Sequence, residues 1–380
     1  MDFVYLDRQF VEKTRQCLSQ NQGKWKKIRH ELKKMADIGM KKGPWSVTFF
    51  PGLAASGDPH DYYCEAPYWW PNPKDSRGPY IRRDGLERPD RHRHHWLSLD
   101  ELSRTILVLC CGGYYLRNKA YLERAAELLR IWFLDPATRM NPHMEYAEAI
   151  PGKYAGRHTG MIALWRVNRI VHALGFLSEY PDWKKELDGV AEWIDHILTW
   201  ILKSKKGKEE SHSGNNHAAW WVTHVATYGS FLGKRKILKD AFKFYQKEIV
   251  AKQIAPDGQL PQELKRTKSL SYCLLNLDAQ ALLCEIAYQN GSDLWNYRTD
   301  DGKGINAAIE WLLPYLKNPS SWKYQQIDGF IPDEQLCLQY ASIRLKKSEC
   351  RRINGKLRGS SLIRDDYPLG PLPLLPGYEF

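Results

Sequence analysis

Two short stretches gather side chains that could act on a substrate. Gly214-Asn215-Asn216-His217 precedes the apolar Ala218-Ala219-Trp220-Trp221, which reads as the start of a helix. Asn is a good N-cap, so one reading is a capped helix start. The other is an anion-binding cluster, because a helix N-terminus offers free N–H groups and the positive end of the dipole. The second stretch, Glu263-Leu264-Lys265-Arg266-Thr267-Lys268-Ser269-Leu270-Ser271-Tyr272, follows a turn at Asp257-Gly258-Gln259-Leu260-Pro261 and enters an apolar helix. Basic residues at a helix start oppose the dipole, so helix stability does not explain Arg266 and Lys268. Arg266 and Tyr272 can converge if the first lies on the loop and the second one turn into the helix; the alternative is a solvated basic loop with a core Tyr. A third candidate, His92, His94 and His95 in DRHRHHW, lacks the spacing of a helical ligand pair. Arg91 and Arg93 would also repel a cation, so surface charge or substrate contact is favoured over metal.

The rest of the composition narrows the partner. The 380 residues carry 56 Lys+Arg against 44 Asp+Glu, a net charge of +12, and 15 Trp among 12% aromatics. A basic, aromatic-rich surface suits a polyanion or a carbohydrate, and an acidic polysaccharide satisfies both features. With 43% hydrophobic and 26% charged residues the chain is a folded globular one, not a disordered one. No uninterrupted apolar run is long enough to read as a membrane span. The eight Cys include no CxxC, and a chain of this size needs no disulfide framework. The start, MDFVYLDRQF, has no basic-then-apolar signal region.

Helical signals dominate the elements that must position these residues. Ser98-Leu99-Asp100-Glu101 predicts a capping box and a helix after it. Further helices are predicted over Lys119 to Phe133 and near 160–178, 184–202, 216–232, 235–250, 269–289 and 304–317, with stripes such as Val190, Trp193, Ile197 and Trp200. Helix pairs joined by short links, such as Gly112 to Asn118 and Gly233-Lys234, predict an all-α toroid or incomplete barrel of helical hairpins, a single domain over residues 1–380. Two segments break the pattern. Residues 56–90 are dense in Pro, Gly and aromatics and predict a long ordered loop. Residues 365–380 predict an extended tail.

These segments together resemble the alginate lyase superfamily of polysaccharide lyases. The loop SGDPHDYYCEAPYWWPNP, then GPYIRRDG, Ile150-Pro151-Gly152 with Gly156-Arg157, the NNH, ELKRTKSLSY and Leu313-Pro314-Tyr315 occur in the family's order over roughly residues 45 to 320. The Arg-Thr-x-Ser-Leu-x-Tyr form is closest to family 38, then to family 5. Ala218-Ala219-Trp220-Trp221 departs from the Gly-Thr-Trp-Tyr often seen there and bears on subsite specificity.

The resemblance implies an (α/α) toroid and cleavage of a 4-linked uronate, such as glucuronan or mannuronate-rich alginate, by β-elimination. The C5 proton becomes acidic enough only when the adjacent carboxylate is neutralised, so the site needs donors at the carboxylate, a base near C5 and an acid near O4. Asn216 and Arg266 fit the first need and Tyr272 the acid. His217 fits the base, or a partner that tunes Tyr272. In a syn elimination Tyr272 would serve as base and then acid. Tyr63, Tyr68, Trp69 and Trp70 would stack on sugar rings, and both Trp cannot face one groove from an extended backbone. Arg82 and Arg83 would pair with carboxylates, with Arg157 and His158 as further binding candidates. The scheme needs neither metal nor cofactor, and expects no nucleic-acid or membrane partner. A polymeric substrate places the protein outside the cell. The rival readings are a glycoside hydrolase, with Asp58, Asp61, Glu65 and Asp84 as candidate carboxylates, and a non-catalytic binder of acidic glycans.

Overall fold

The structure, a computed structural model, describes residues 3–357 apart from 51, 53, 76 and 330–334. The predicted tail at 365–380 lies outside the described residues. The chain divides into two compact units, with the changeover between Lys208 and Glu209.

The first unit contains α1 (Arg8–Gln20), α2 (Gly23–Gly39), α3 (His94–Leu116), α4 (Lys119–Leu129), α5 (Trp165–Leu177) and α6 (Lys184–Lys203), and α7 (Lys205–Ser211) carries the chain across the changeover. The helices α1 and α2 lie outside the ranges read from the sequence. At the centre is α3, packed against α1, α2, α4 and α5. Gly112 and Gly113 are not in a link but inside α3. A Cβ on Gly113 would sit 2.3 Å from the Leu122 side chain of α4, so the glycine is what lets the two helices approach. The predicted capping box is also corrected. The helix begins at His94, and Ser98 and Asp100 are buried within it. Asp100 accepts from Arg104 Nε at 2.9 Å and from Arg166 Nε at 3.0 Å, so its carboxylate holds buried cations rather than a helix end. The Arg166 guanidinium lies over the rings of Trp96 and Trp165, at 4.0 and 4.3 Å.

The segment 56–90 carries three short strands, β1 (Tyr63–Glu65), β2 (Trp69–Trp70) and β3 (Ile81–Arg82), and β4 (Tyr146–Ala149) follows α4. The β1 strand pairs in parallel with β4, and β2 pairs antiparallel with β3. Arg88 binds the Glu65 carboxylate, and Glu65 N–H donates to the His92 carbonyl at 2.8 Å. These ties order the loop.

The second unit contains α8 (Asn216–Phe231), α9 (Arg235–Phe244), α10 (Ala251–Gln253), α11 (Pro261–Leu264), α12 (Ser269–Gln289), α13 (Ile305–Lys317), α14 (Leu336–Arg344) and α15 (Ser348–Leu357). The last two were not anticipated from sequence. The predicted 235–250 helix is α-helical to Phe244 and then widens into a π-turn over Tyr245–Val250. At the centre is α12, packed on α8, α11, α13 and α14. By length and composition alone α12 could cross a membrane, which the sequence reading overlooked, but most of it is buried as a core helix. Its Glu285, fully buried, is paired with Arg344 of α14 through Nε at 2.9 Å. All eight Cys are free thiols, buried except Cys17.

Three buried histidines make stability depend on pH. His95, His172 and His224 are held neutral by burial, which lowers them from about 6.5 to about 4, about 3 and about 3. His95 also fits only as a neutral ring: Nδ1 accepts from Tyr63 N–H at 2.9 Å and Nε2 faces the Phe50 carbonyl. The unfolded chain takes up these protons at higher pH than the folded one. The stability they contribute is therefore complete above about pH 6.5 and is lost as pH falls toward the folded values. Each tenfold difference in proton affinity between the two states is worth about 1.4 kcal/mol. The urea midpoint should fall steadily from pH 7 to pH 4.5, and a flat profile over that range would contradict this.

Candidate active site

Gly214, at φ +69°, turns the chain into α8. Asn215 is the N-cap, its side chain accepting from His217 N–H at 3.0 Å. The two readings of this stretch are thus divided between neighbours: Asn215 caps, and Asn216 and His217 are left for other work.

Asn216 is fully buried. Its Nδ2 donates to both carboxylate oxygens of Glu263, at 3.1 and 3.1 Å, and its backbone N–H donates to Glu263 Oε1. Its Oδ1 is buried and has no hydrogen-bond partner among the described residues. Glu263, on α11, also accepts from Asn276 Nδ2 of α12 at 2.9 Å. Burial raises the Glu263 carboxyl above its usual range, while the Asn276 and Asn216 donors and the Arg266 charge pull it back. The network continues inward: Gln280 Nε2 donates to Asn276 Oδ1 at 2.8 Å, and Tyr245 O–H donates to Gln280 Oε1 at 3.0 Å. A connected buried network of this kind fixes side-chain orientation. Glu263→Gln would turn one acceptor into a donor facing Asn216 Nδ2. This variant should lose about 1–3 kcal/mol of stability and tilt Asn216. The expected kinetic result is a kcat reduced roughly tenfold with KM little changed, read by chemical denaturation beside steady-state assays.

His217 Nδ1 lies 2.8 Å from Glu210 Oε1, and Glu210 is 1% exposed. A carboxylate can only accept, so the proton of a neutral His217 sits on Nδ1. That leaves the Nε2 lone pair as a base, the orientation a carboxylate imposes on a catalytic imidazole.

Arg266 lies on the bend between α11 and α12, and Tyr272 in the first turn of α12. The Arg266 guanidinium carbon stands 3.7 Å from the Tyr272 ring centroid. The six-residue spacing thus brings a permanent cation onto a phenol.

The candidates of the first unit are placed as follows. Trp69 and Trp70 form β2, both half-buried. Lys153 Nζ and the Arg157 guanidinium lie over Trp69 at 4.9 and 5.8 Å, and the Arg83 guanidinium lies over Trp70 at 5.1 Å. Trp70 Nε1 donates to the Leu86 carbonyl at 2.9 Å, which anchors that ring. Tyr68, half-buried, accepts through its carbonyl from Arg83 N–H at 2.8 Å. Arg82 pairs with Asp84 at 2.6 Å, and Arg157 faces Glu148 at 3.4 Å. His158 opens a 3₁₀ turn over His158–Leu164. Tyr63, in β1, is 4% exposed, with its ring edge-on to His92 at 5.3 Å.

The carboxylates a hydrolase would need are engaged elsewhere. Asp58 accepts from His60 N–H and Asn141, Asp61 from Ser56, Asn141 and His143, Glu65 from Arg88, and Asp84 from Arg82. Among the described residues no group of three or more His, Cys, Asp or Glu is placed to hold a metal. Sequence reasoning missed Glu210, Asn276 and Lys153, and gave Glu263, at the head of its second stretch, no role. Glu210 sits in the charged run Lys205-Lys206-Gly207-Lys208-Glu209-Glu210 and Glu263 just before another; both look solvated until the fold buries them.

Residues 49–322 match the alginate lyase family. An alginate lyase structure from Bacteroides ovatus superposes with a TM-score of 0.89 at 30% identity, covering 98% of both chains. Alginate lyase A1-III from Sphingomonas species A1 shares the fold at a TM-score of 0.59 and 16% identity, over 98% of this chain and 96% of that one. An alginate lyase of Pseudomonas syringae pv. tomato is 24% identical over 195 residues, 50% of each chain, so the chain spans about half the length of the curated relatives it matches. The predicted all-α class, the (α/α) toroid, is the fold class of these structures and of this chain.

Proposed function

The chain belongs to the alginate lyase family, and we propose that it is a polysaccharide lyase cleaving 4-linked uronate chains by β-elimination. The observation that carries this reading is the stacked Arg266–Tyr272 pair, 3.7 Å apart, in the same unit as the Glu210-oriented His217 and the Glu263-held Asn216.

Each group has a task. Arg266 offers positive charge to the uronate carboxylate and to the charge that develops on it when the C5 proton leaves. Asn216, oriented by the Glu263 carboxylate, is the proposed second group at the uronate carboxylate, beside Arg266. His217, through Nε2, removes the C5 proton where that proton and O4 lie on opposite faces. Where they share a face, Tyr272 takes the proton and returns it to the leaving O4, with Arg266 on its ring favouring the phenolate. In both cases Tyr272 O–H is the acid.

In the first unit, Tyr68, Trp69 and Trp70 with Arg82, Arg83, Arg157 and His158 are the proposed sugar-binding residues. Rings flanked by cations suit a chain that alternates pyranose faces and carboxylates. Alginate lyase A1-III has been crystallised as a Tyr-to-Phe variant complexed with tetrasaccharide, which supports an oligouronate as ligand here. Glucuronan or mannuronate-rich alginate is the proposed polymer, met outside the cell.

The test is incubation with polyglucuronate, polymannuronate and polyguluronate while following the ultraviolet absorbance of the unsaturated uronate. Rising absorbance on at least one is expected. Reducing ends without absorbance would mean hydrolysis, and neither signal would mean a binder; both would overturn the proposal.

A further inference from the structure

The loop that carries Arg266 and the first turn that carries Tyr272 are tied by a segment from outside their own helix. Helix α12 begins with Lys268 at its N-cap, which makes no side-chain cap bond, although the first N–H groups of any helix need partners from outside it. A lysine there also opposes the dipole. Both problems are solved by residues more than fifty positions later in the same unit. Ser269 N–H donates to the Gln325 carbonyl at 3.1 Å, and Leu270 N–H donates to Gln326 Oε1 at 3.0 Å. Gln326 Nε2 donates to Ser271 Oγ at 2.9 Å and to Asp328 Oδ1 at 3.1 Å, and Lys268 pairs with Asp328 at 2.5 Å. Ile327 N–H donates to the Thr267 carbonyl at 3.0 Å, which makes Lys268 and Gln326 an antiparallel bridge.

The segment is in turn anchored. Trp322 Nε1 donates to Ser269 Oγ at 2.9 Å, and its ring packs on Trp311 and Tyr315 of α13 at 5.7 and 5.0 Å. Tyr324 O–H donates to Gln259 Oε1 at 3.1 Å. Every residue from Thr267 to Ser271 thus has a tie to this segment, and the residues on either side of that run are Arg266 and Tyr272.

We propose that residues 322–328 are a clamp that sets the distance between Arg266 and Tyr272, with Gln326 as its positioning residue. The Gln326 amide does two things at once: its oxygen caps α12 and its nitrogen ties Ser271 to Asp328. Without it, the N–H of Leu270 loses its acceptor, the first turn of α12 frays, and the phenol leaves the guanidinium. Lys268, which has no helix-stabilising reason to be where it is, gains one as the partner of Asp328. The consequence for catalysis rests on the lyase reading; the clamp itself does not.

The experiment uses the full chain as Gln326→Ala and Gln326→Glu, with two readouts. Hydrogen exchange followed by mass spectrometry on peptides covering 264–275 should quicken in Gln326→Ala while peptides of α13 stay as they were. On whichever polyuronate the unaltered protein cleaves, kcat should fall by on the order of a hundredfold, the scale of a misplacement of about 1 Å, with KM within about twofold. Gln326→Glu keeps an acceptor for Leu270 N–H and adds a charge that the helix start favours, but it loses the donor to Ser271 and faces Asp328 as a second carboxylate, so it should recover part of kcat. Unchanged exchange over 264–275 would overturn the clamp, as would a kcat loss that Gln326→Glu does not relieve. If the unaltered protein cleaves no uronan, the lyase reading fails, and the exchange result by itself decides the clamp.

Discussion

Tyr272→Phe should leave the protein folded and remove its elimination activity, with kcat reduced on the order of a thousandfold or more. The variant deletes one hydroxyl and keeps the ring, so the cation–π contact with Arg266 at 3.7 Å survives. The side chain is half-buried at the start of α12, and a phenyl ring occupies the same space. Binding of uronate oligomers should persist, because the phenol acts on O4 rather than holding the chain. The measurements are product absorbance at saturating polyuronate, a thermal melt, and oligouronate titration. A variant that still turns over at more than about a tenth of the normal rate would sink the assignment of Tyr272 as acid, since a general acid is worth far more than that.

Arg266→Ala should be nearly as damaging, with kcat lower by about a hundredfold to a thousandfold, the range for removing a group that stabilises developing charge. The reaction places a second negative charge next to the uronate carboxylate, so a fixed cation matters more in the transition state than in the ground state. kcat should therefore fall more than affinity. The substitution also strips the cation from the Tyr272 ring. Arg266→Lys is the control. It keeps a charge but loses the planar group that lies flat on the ring, and Arg and Lys are not interchangeable at a stacked site. A partial recovery is expected. If Arg266→Ala raises KM with kcat intact, Arg266 only binds substrate and the electrostatic role proposed for it is wrong.

The carboxamide of Asn216 shows how far residue type carries and where it stops. Its position at a helix start, beside a histidine, was legible from GNNH because capping and polarity are local. What orients that amide was not. It is Glu263, 47 residues away, whose carboxylate accepts from both the backbone and the side chain of Asn216. The same holds for His217. A histidine can be named from the sequence, but its tautomer follows from Glu210 at 2.8 Å. Tyr63 reads from the sequence as one more ring of an aromatic-rich loop, and only the fold shows it buried, edge-on to His92.

Much of the helical pattern was readable because burial on one face of a helix repeats with the helix period. Val190, Trp193 and Ile197 are buried as their spacing predicts. The start of α3 was misread because Ser98 and Asp100 have capping side chains, and only the arrival of Arg166 from α5 shows Asp100 to be an interior ion partner. Helix α12 was placed correctly as an element, yet what caps it is Gln325 and Gln326, contributed from 56 residues away.

By itself, then, the sequence determined the all-α class and the order of the family's landmarks, and it named Arg266 and Tyr272 as residues able to converge, because a bend and one helical turn can bring positions six apart together. The tertiary structure alone decided which carboxylates orient His217 and Asn216, which ring is packed away, and what holds α12 at its start. Those are contacts between segments far apart in the chain. No local propensity encodes them, and they exist only once the apolar faces of the helices have been buried together.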